Sequence, residues 1–255
     1  MAGADWIAVK VEGADGPAPL VLACEHASAF IPSELDGLGL AAGALETHVA
    51  WDIGAAALAR ALSRQLGAPL VSGCLSRLVY DCNRPPEAPD AIPSRSESYD
   101  IPGNRNLDDA ARRARHSRVH APFHAVLAET CREQTARAGR PIALVTVHSF
   151  TPVFLGRPRA VEIGFLHHAD ARLAGAMLAA ERARGRHRTA LNEPYSARDG
   201  VTHTLALHGE HDGRQAAMIE VRNDLLANER DARRMGDHLA ATIATALGLD
   251  VEAAG

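Results

Sequence analysis

Short, uninterrupted apolar runs alternate in this chain with long stretches rich in Ala, Leu and Arg, and that alternation most narrows the folds open to it. The runs 19–24 (PLVLAC), 68–71, 78–80, 141–147 (PIALVTV), 161–166 and 217–221 are too short for helices. Turn or polar residues bound each of them, so they read as strands buried on both faces. Between them, residues at about 45–66, 108–138, 169–184 and 228–247 carry helical spacing. Gly67, Gly139 and Gly185 follow three of these stretches where a left-handed C-cap belongs. The pattern predicts an α/β chain with a mostly parallel sheet and helices on both faces. Residues 83–107, rich in Pro, Ser and Asp, have no periodicity and are expected to form a long, functional loop, with Gly103 as a hinge. No repeat or linker divides the chain, so residues 1–255 are expected to be a single domain.

Charge and composition exclude several functions. Lys and Arg number 27 against 31 Asp and Glu, a net charge of −4. There is no basic footprint for nucleic acid. No run reaches the ~20 apolar residues that span a bilayer. Asp5, Glu12 and Asp15 interrupt the start of the chain, so no signal peptide is expected. Cys24, Cys74, Cys82 and Cys131 lack a CxxC spacing and read as reduced thiols of a cytoplasmic protein, although their even number leaves disulfides open.

The chemistry is expected at the carboxyl ends of the strands, where open α/β sheets bind their ligands. Glu25 and His26 follow the first run, His148 follows 141–147, and Glu220, Arg222 and Asp224 lie at the end of 217–221. Two histidines on separate strand ends, with carboxylates nearby, suit a catalytic zinc site, which needs three N/O ligands and an open position. His48 and Asp52 lie four residues apart at the start of a long helical stretch, and either residue offers the third ligand. Arg222 is also a candidate ion-pair partner for Glu220. His116, His120 and His124 share one helix face, which cannot surround an ion alone, so they are expected to line a partly solvated face. His203 belongs to no constellation. A cluster at 76–85 (SRLVYDCNRP) holds Arg77, Asp81, Asn83 and Arg84, in which an Asn–Arg pair suits a substrate carboxylate. Asp81 reads equally well as a loop-anchoring ion-pair partner.

Seven segments in one order carry a family likeness: CEHAS (24–28), HVAWDIGA (48–55), SRLVYDCNRP (76–85), IPGN (101–104), VHSFTP (147–152), NEPYS (192–196) and IEVRNDL (219–225). On these the chain resembles the N-formylglutamate amidohydrolase (deformylase) family. The resemblance implies a three-layer α/β/α sandwich with a mostly parallel mixed sheet, of the zinc-exopeptidase (phosphorylase/hydrolase-like) kind. It implies His26, Asp52 and His148 as ligands of one zinc ion, which selects Asp52 over His48, and Glu220 as general base. Asn83 and Arg84 would bind a substrate carboxylate, and Arg77 or Arg222 would stabilise the oxyanion. The implied reaction is hydrolysis of N-formyl-L-glutamate to formate and L-glutamate, in histidine degradation, with no nucleic acid or membrane partner. Two alternatives stand beside it: a hydrolase of another N-formyl or N-acyl amino acid, and a non-catalytic binder of metal or amino acid. The chain departs from the pattern at Val201, where the family carries an aromatic.

Overall fold

The computed structural model describes residues 6–249. Its frame is a seven-stranded mixed sheet built from β1 (Val9–Glu12), β2 (Leu20–Cys24), β3 (Leu70–Gly73), β4 (Ala143–Phe150), β5 (Ile163–Leu166), β6 (Thr189–Leu191) and β7 (Ala216–Arg222). Their spatial order is β1-β3-β2-β4-β7-β5-β6. The block β3-β2-β4-β7 is parallel throughout. β1 joins it antiparallel at one side and β5 antiparallel at the other, with β6 parallel to β5.

Strand alternation divides the inward-facing residues between two cores. Leu20, Leu22, Val145, Val147, Ile219 and Phe165 pack on one face, under α1 (Ala55–Leu66), α4 (Arg172–Arg184) and α5 (Glu229–Leu247). On the opposite face, Val21, Ala23, Leu144 and Met218 pack against Phe123 and Leu127 of α3 (Ala121–Ala138). Helix α2 (Asp109–Arg115) runs into α3 through a π turn, His116–His120. Three layers result, as expected. Strands β2 and β4 are buried along their whole length, which is why they read as continuous apolar runs. Gly67, Gly139 and Gly185 cap α1, α3 and α4 in the left-handed conformation.

The structure corrects several sequence-based expectations. Residues 77–79 form a buried turn, not a strand. The Ser76 hydroxyl donates to the Ala50 carbonyl and accepts from the Leu78 amide, and the Val79 amide closes the turn on Ser76. Residues 45–54 hold the end of one 3-10 turn (Ala44–Glu46) and further turns, and α1 begins only at Ala55, because Gly54 sits at φ +84° and the Asp52 amide bonds the His26 carbonyl instead of a helical partner. His48 and Asp52 therefore share no helix face. Strands β1 and β6 were not anticipated: both are short edge strands, and β1 carries Lys10 and Glu12 in place of an apolar run. Residues 83–107 hold only single turns and a two-residue ribbon, and their C-terminal part is anchored. The Asn104 amide donates to the Leu78 and Pro93 carbonyls, and Arg115 donates to the Gly103 carbonyl. Gly103 also lies directly against Leu38, which makes it an anchor point and not a hinge.

Candidate active site

The carboxyl ends of β2, β4 and β7 open on one side of the sheet into a cavity of about 250 Å³. His26, Asp52, His148, Arg77, Arg84 and Glu220 are among its walls. Backbone stitching brings the pieces together. The Asp52 amide donates to His26 O at 3.0 Å, the Ser149 hydroxyl donates to Ile53 O at 2.7 Å, and Ser76 holds Ala50 O at 2.8 Å. The Asp52 turn is thus tied to β2, β4 and the 76–79 turn together.

At the centre, Asp52 Oδ2 lies 3.3 Å from His26 Nδ1 and 2.8 Å from His148 Nδ1. His26, Asp52 and His148 each offer a ligand atom, and these atoms all lie within 4.8 Å of one another. The far nitrogen of each ring faces a carboxylate: His26 Nε2 is 2.7 Å from Asp81 Oδ1, and His148 Nε2 is 3.2 Å from Glu25 Oε2. The Asp81 bond to His26 is the arrangement that fixes the tautomer and orientation of metal-ligating histidines, whereas Glu25 faces His148 as an ion-pair partner without hydrogen-bond geometry. The donor set therefore fits a divalent cation. His48 stands apart, bonded to Glu97 Oε1 at 2.6 Å.

Charge balance favours a cation as well. Glu25, Asp52 and Asp81 are all buried beside the two histidines. The Arg77 guanidinium bridges two of the three, donating to Asp52 Oδ1 at 3.0 Å and Asp81 Oδ2 at 3.3 Å. Burial opposes ionisation of Glu25, but His148 and His26 outweigh it and hold its carboxyl down at about 2. Asp52 and Asp81 are likewise held low against burial, by His26 above all with Arg77 assisting. Burial disfavours protonation of His148, yet Glu25 and Asp52 push its pKa well up; Asp81 and Asp52 overcome burial and Arg77 to raise that of His26. A site that draws positive charge onto its imidazoles is electrostatically prepared for a metal ion.

Glu220 differs from these three carboxylates. It pairs in register with His148 on the adjacent strand and lines the cavity, which Glu25 does not, and like Glu25 it has a buried oxygen with no hydrogen-bond partner, here Oε2. Burial pushes its carboxyl up to about 7, with the charge of Asp52 adding to the shift and His148 opposing it. A carboxyl with that affinity and a free oxygen suits proton transfer near neutral pH.

The remaining expectations separate. Arg84 lines the cavity, its Nε bonded to Asp90 at 2.7 Å. Asn83 lines it too, but its amide donates to Val201 O at 2.5 Å and accepts from Thr204 N at 3.1 Å, so it mainly ties two wall segments together. Arg222 is not brought to the cavity and does not pair with Glu220. Its guanidinium bonds Asp224 at 2.8 Å, reaches Glu162 at 3.5 Å and donates to Arg159 O. Arg222 is the last residue of β7, and its side chain is drawn to Asp224 in the turn that follows and to Glu162 in place of Glu220. Sequence reasoning missed the bracing roles of Glu25 and Asp81, and also the wall residues Arg95 and Tyr195. For Glu25 a signal existed: a carboxylate beside His26 at a buried strand end needs a charged partner.

The sequence model of the N-formylglutamate amidohydrolase family matches residues 18–227. The crystal structure of a gene product from Agrobacterium tumefaciens is similar at 51% identity and a TM-score of 0.91, over 94% of this chain and 95% of that one. The crystal structure of N-formylglutamate amidohydrolase from Ralstonia eutropha JMP134 is similar in fold at 20% identity and a TM-score of 0.65, over 92% of this chain and 98% of that one. No curated protein sequence matches the chain. With the family model covering most of the chain, including every segment that builds the cavity's histidine and carboxylate set, the chain belongs to the N-formylglutamate amidohydrolase family, hydrolases that act on amides.

Proposed function

We propose that the protein hydrolyses the formamide of N-formyl-L-glutamate to formate and L-glutamate, with a zinc ion held by His26, Asp52 and His148. One observation carries the reading. A three-donor set, braced from behind by Asp81 and Glu25, shares a cavity with a buried carboxylate, Glu220, that has a free oxygen and a raised pKa. Zinc, when bound, polarises a carbonyl oxygen and lowers the pKa of water from 15.7 to about 7.

The chain's own residues supply the rest. Glu220 takes the proton of the attacking water as the oxygen adds to the formyl carbon. It then returns that proton to the amide nitrogen as the C–N bond breaks, leaving formic acid and an amine, and the acid's proton passes to the amine to give formate and the ammonium form of the amino acid. Arg77 is fixed by Asp52 and Asp81 but still faces the cavity, so its remaining N–H groups stabilise the oxyanion. Arg84 binds a substrate carboxylate, and Asn83 holds the wall beside it. Arg95 is a third guanidinium in the same cavity and, with Arg84, favours a substrate with two carboxylates over other N-acyl amino acids. Glu220, poised for proton transfer, favours an enzyme over a binding protein. The four unpaired cysteines support a reducing compartment such as the cytoplasm.

The test is formate release from a panel of N-formyl amino acids by zinc-loaded protein, with and without chelator. Release is expected to be fastest from the glutamyl compound and abolished by chelator. Turnover that survives complete metal removal refutes the metal-dependent reading; preference for a neutral side chain refutes the substrate.

A further inference from the structure

The helix face carrying His116, His120 and His124 is half-buried at His116 and closed from solvent at the other two. His120 and His124 are 5% and 7% exposed, and His208, from a separate segment, is 4% exposed. His120 closes the π turn that joins α2 to α3, and His124 lies one turn further on. Opposite them, a helical turn at His203–Leu205 and a second π turn at Ala206–Glu210 bring His203 and His208 against the same face. The sequence objection, that one helix cannot surround an ion, is removed because a second segment supplies the other side. π turns of this kind are frequent at functional sites.

The cluster has the chemistry of a ligand set. His120, His124 and His203 each present a donor atom, and these atoms all lie within 4.8 Å of one another. His120 Nε2 and His203 Nε2 are buried without any hydrogen-bond partner, a state that polar atoms in a protein interior rarely tolerate. His124 Nε2 lies 2.8 Å from the Cys82 carbonyl, which only accepts, so that nitrogen carries the hydrogen and Nδ1 presents its lone pair. This anchoring of the far nitrogen on a backbone carbonyl is the same bracing found behind metal-bound histidines. Burial, with neighbouring imidazoles adding to it, lowers His120 to about 4 and His124 to about 3, and lowers His203 as well. All three are therefore neutral at neutral pH, the form that ligates. No carboxylate belongs to the set, in contrast to the strand-end centre.

We propose that His120, His124 and His203 form a second metal site, selective for zinc or another imidazole-preferring divalent transition ion and distinct from the centre at His26, Asp52 and His148. Coordination through His124 Nδ1 replaces the hydrogen bond that His208 Nε2 now makes to it at 2.8 Å. The ion ties α3 to the 201–208 segment. That segment carries the Val201 wall of the cavity and holds Asn83, so the role of the second ion is to hold the cavity wall, not to perform chemistry. The proposal does not depend on which amide the protein hydrolyses.

Metal content and calorimetric titration of chelator-stripped full-length protein with zinc alone test it. Wild type is expected to take two tightly bound ions per chain. The His26→Ala/His148→Ala variant should keep one, and the His120→Gln/His203→Gln variant should also keep one. Combining all four substitutions should leave none. If the second variant fails to fold by circular dichroism, the first still decides: one retained ion supports the site, and none overturns it. Loss of all zinc from His26→Ala/His148→Ala, or unchanged stoichiometry in a folded His120→Gln/His203→Gln, overturns the proposal.

Discussion

Around the strand-end centre, residues of one chemical type do different work because their surroundings differ. Glu25 and Asp52 are buried among imidazoles and stay ionised, whereas Glu220, two strands over from Glu25, is buried with less compensation and holds its proton up to about 7. Two predictions follow from this contrast. Glu220→Gln should retain zinc and substrate affinity while kcat drops about 10²–10⁴-fold, the scale of general acid–base catalysis; steady-state kinetics with metal analysis checks it, and a near-normal kcat with metal bound removes Glu220 from its role. The same group leaves a mark on stability in chelator-treated protein. Unfolded, a Glu ionises near pH 4.3, while native Glu220 keeps its proton to about 7. Between those values the native state binds a proton that the unfolded state has released. Stability therefore falls as pH rises across that window, by up to about 1.4 kcal/mol per pH unit from this group. Thermal melts from pH 5 to 7 should show a shallower decline for Glu220→Gln than for wild type. Glu25, whose value is depressed, acts in the opposite sense and at lower pH, so it does not blur the comparison. Arg84→Ala should act mainly by raising KM, because a carboxylate held equally in ground and transition states is uniform binding. A fall in kcat at unchanged KM would instead place Arg84 at the reacting atoms.

Among the elements, the approach of β3 to the end of β2 matters most to the site. A Cβ on Gly73 would stand 2.1 Å from the Glu25 carbonyl oxygen, so only glycine lets the two strand ends lie this close. Glu25 and His26 leave β2 at that point. Gly73→Ala must push the Glu25–His26 turn away from the sheet and should cost about 1–3 kcal/mol, as overpacking does. It should also weaken zinc retention, measured beside a denaturant melt; an unperturbed melt and full metal content would show that the turn is soft. Helix α1 shows the complementary case. Its start is set by Gly54, whose left-handed backbone stops helical hydrogen bonding before Ala55 and leaves Asp52 free to bond back to His26.

Across the whole molecule, the sheet separates two cores that bury three of the four cysteines, and none of the four is disulfide-bonded. Burial raises the thiols of Cys24 and Cys82 well above their ordinary range and takes Cys131 to about 11, whereas Cys74 is only half-buried. A thiol reagent should therefore modify Cys74 first, and the other three together only as the protein unfolds, since thiolate and access are both withheld. Titration of native protein followed by denaturant is the check. Two separate slow phases, Cys24 apart from Cys82 and Cys131, in place of one shared phase, would show that the two cores open independently.

The amino-acid sequence alone determined the central parallel strands, the glycine caps and the histidines and carboxylates at the strand ends. These are local properties: a strand buried on both faces is an apolar run, a helix stop is a glycine, and polar residues after a buried strand stand out. The edge strands β1 and β6 escaped because they bury little and carry no such run. Tertiary structure decided how the polar residues pair. His26 meets Asp81 across 55 positions, His148 meets Asp52 across 96, and His124 meets His208 across 84. Arg222 turned to Asp224 and Glu162, while His48 went to Glu97. Strand register and the π turns set those meetings, and neither is written in the spacing of any one segment. For that reason the strand-end centre was legible as a list of residues but not as a braced site. The four-histidine cluster was legible only as one helix face, because its other half arrives from a segment about eighty residues further along the chain.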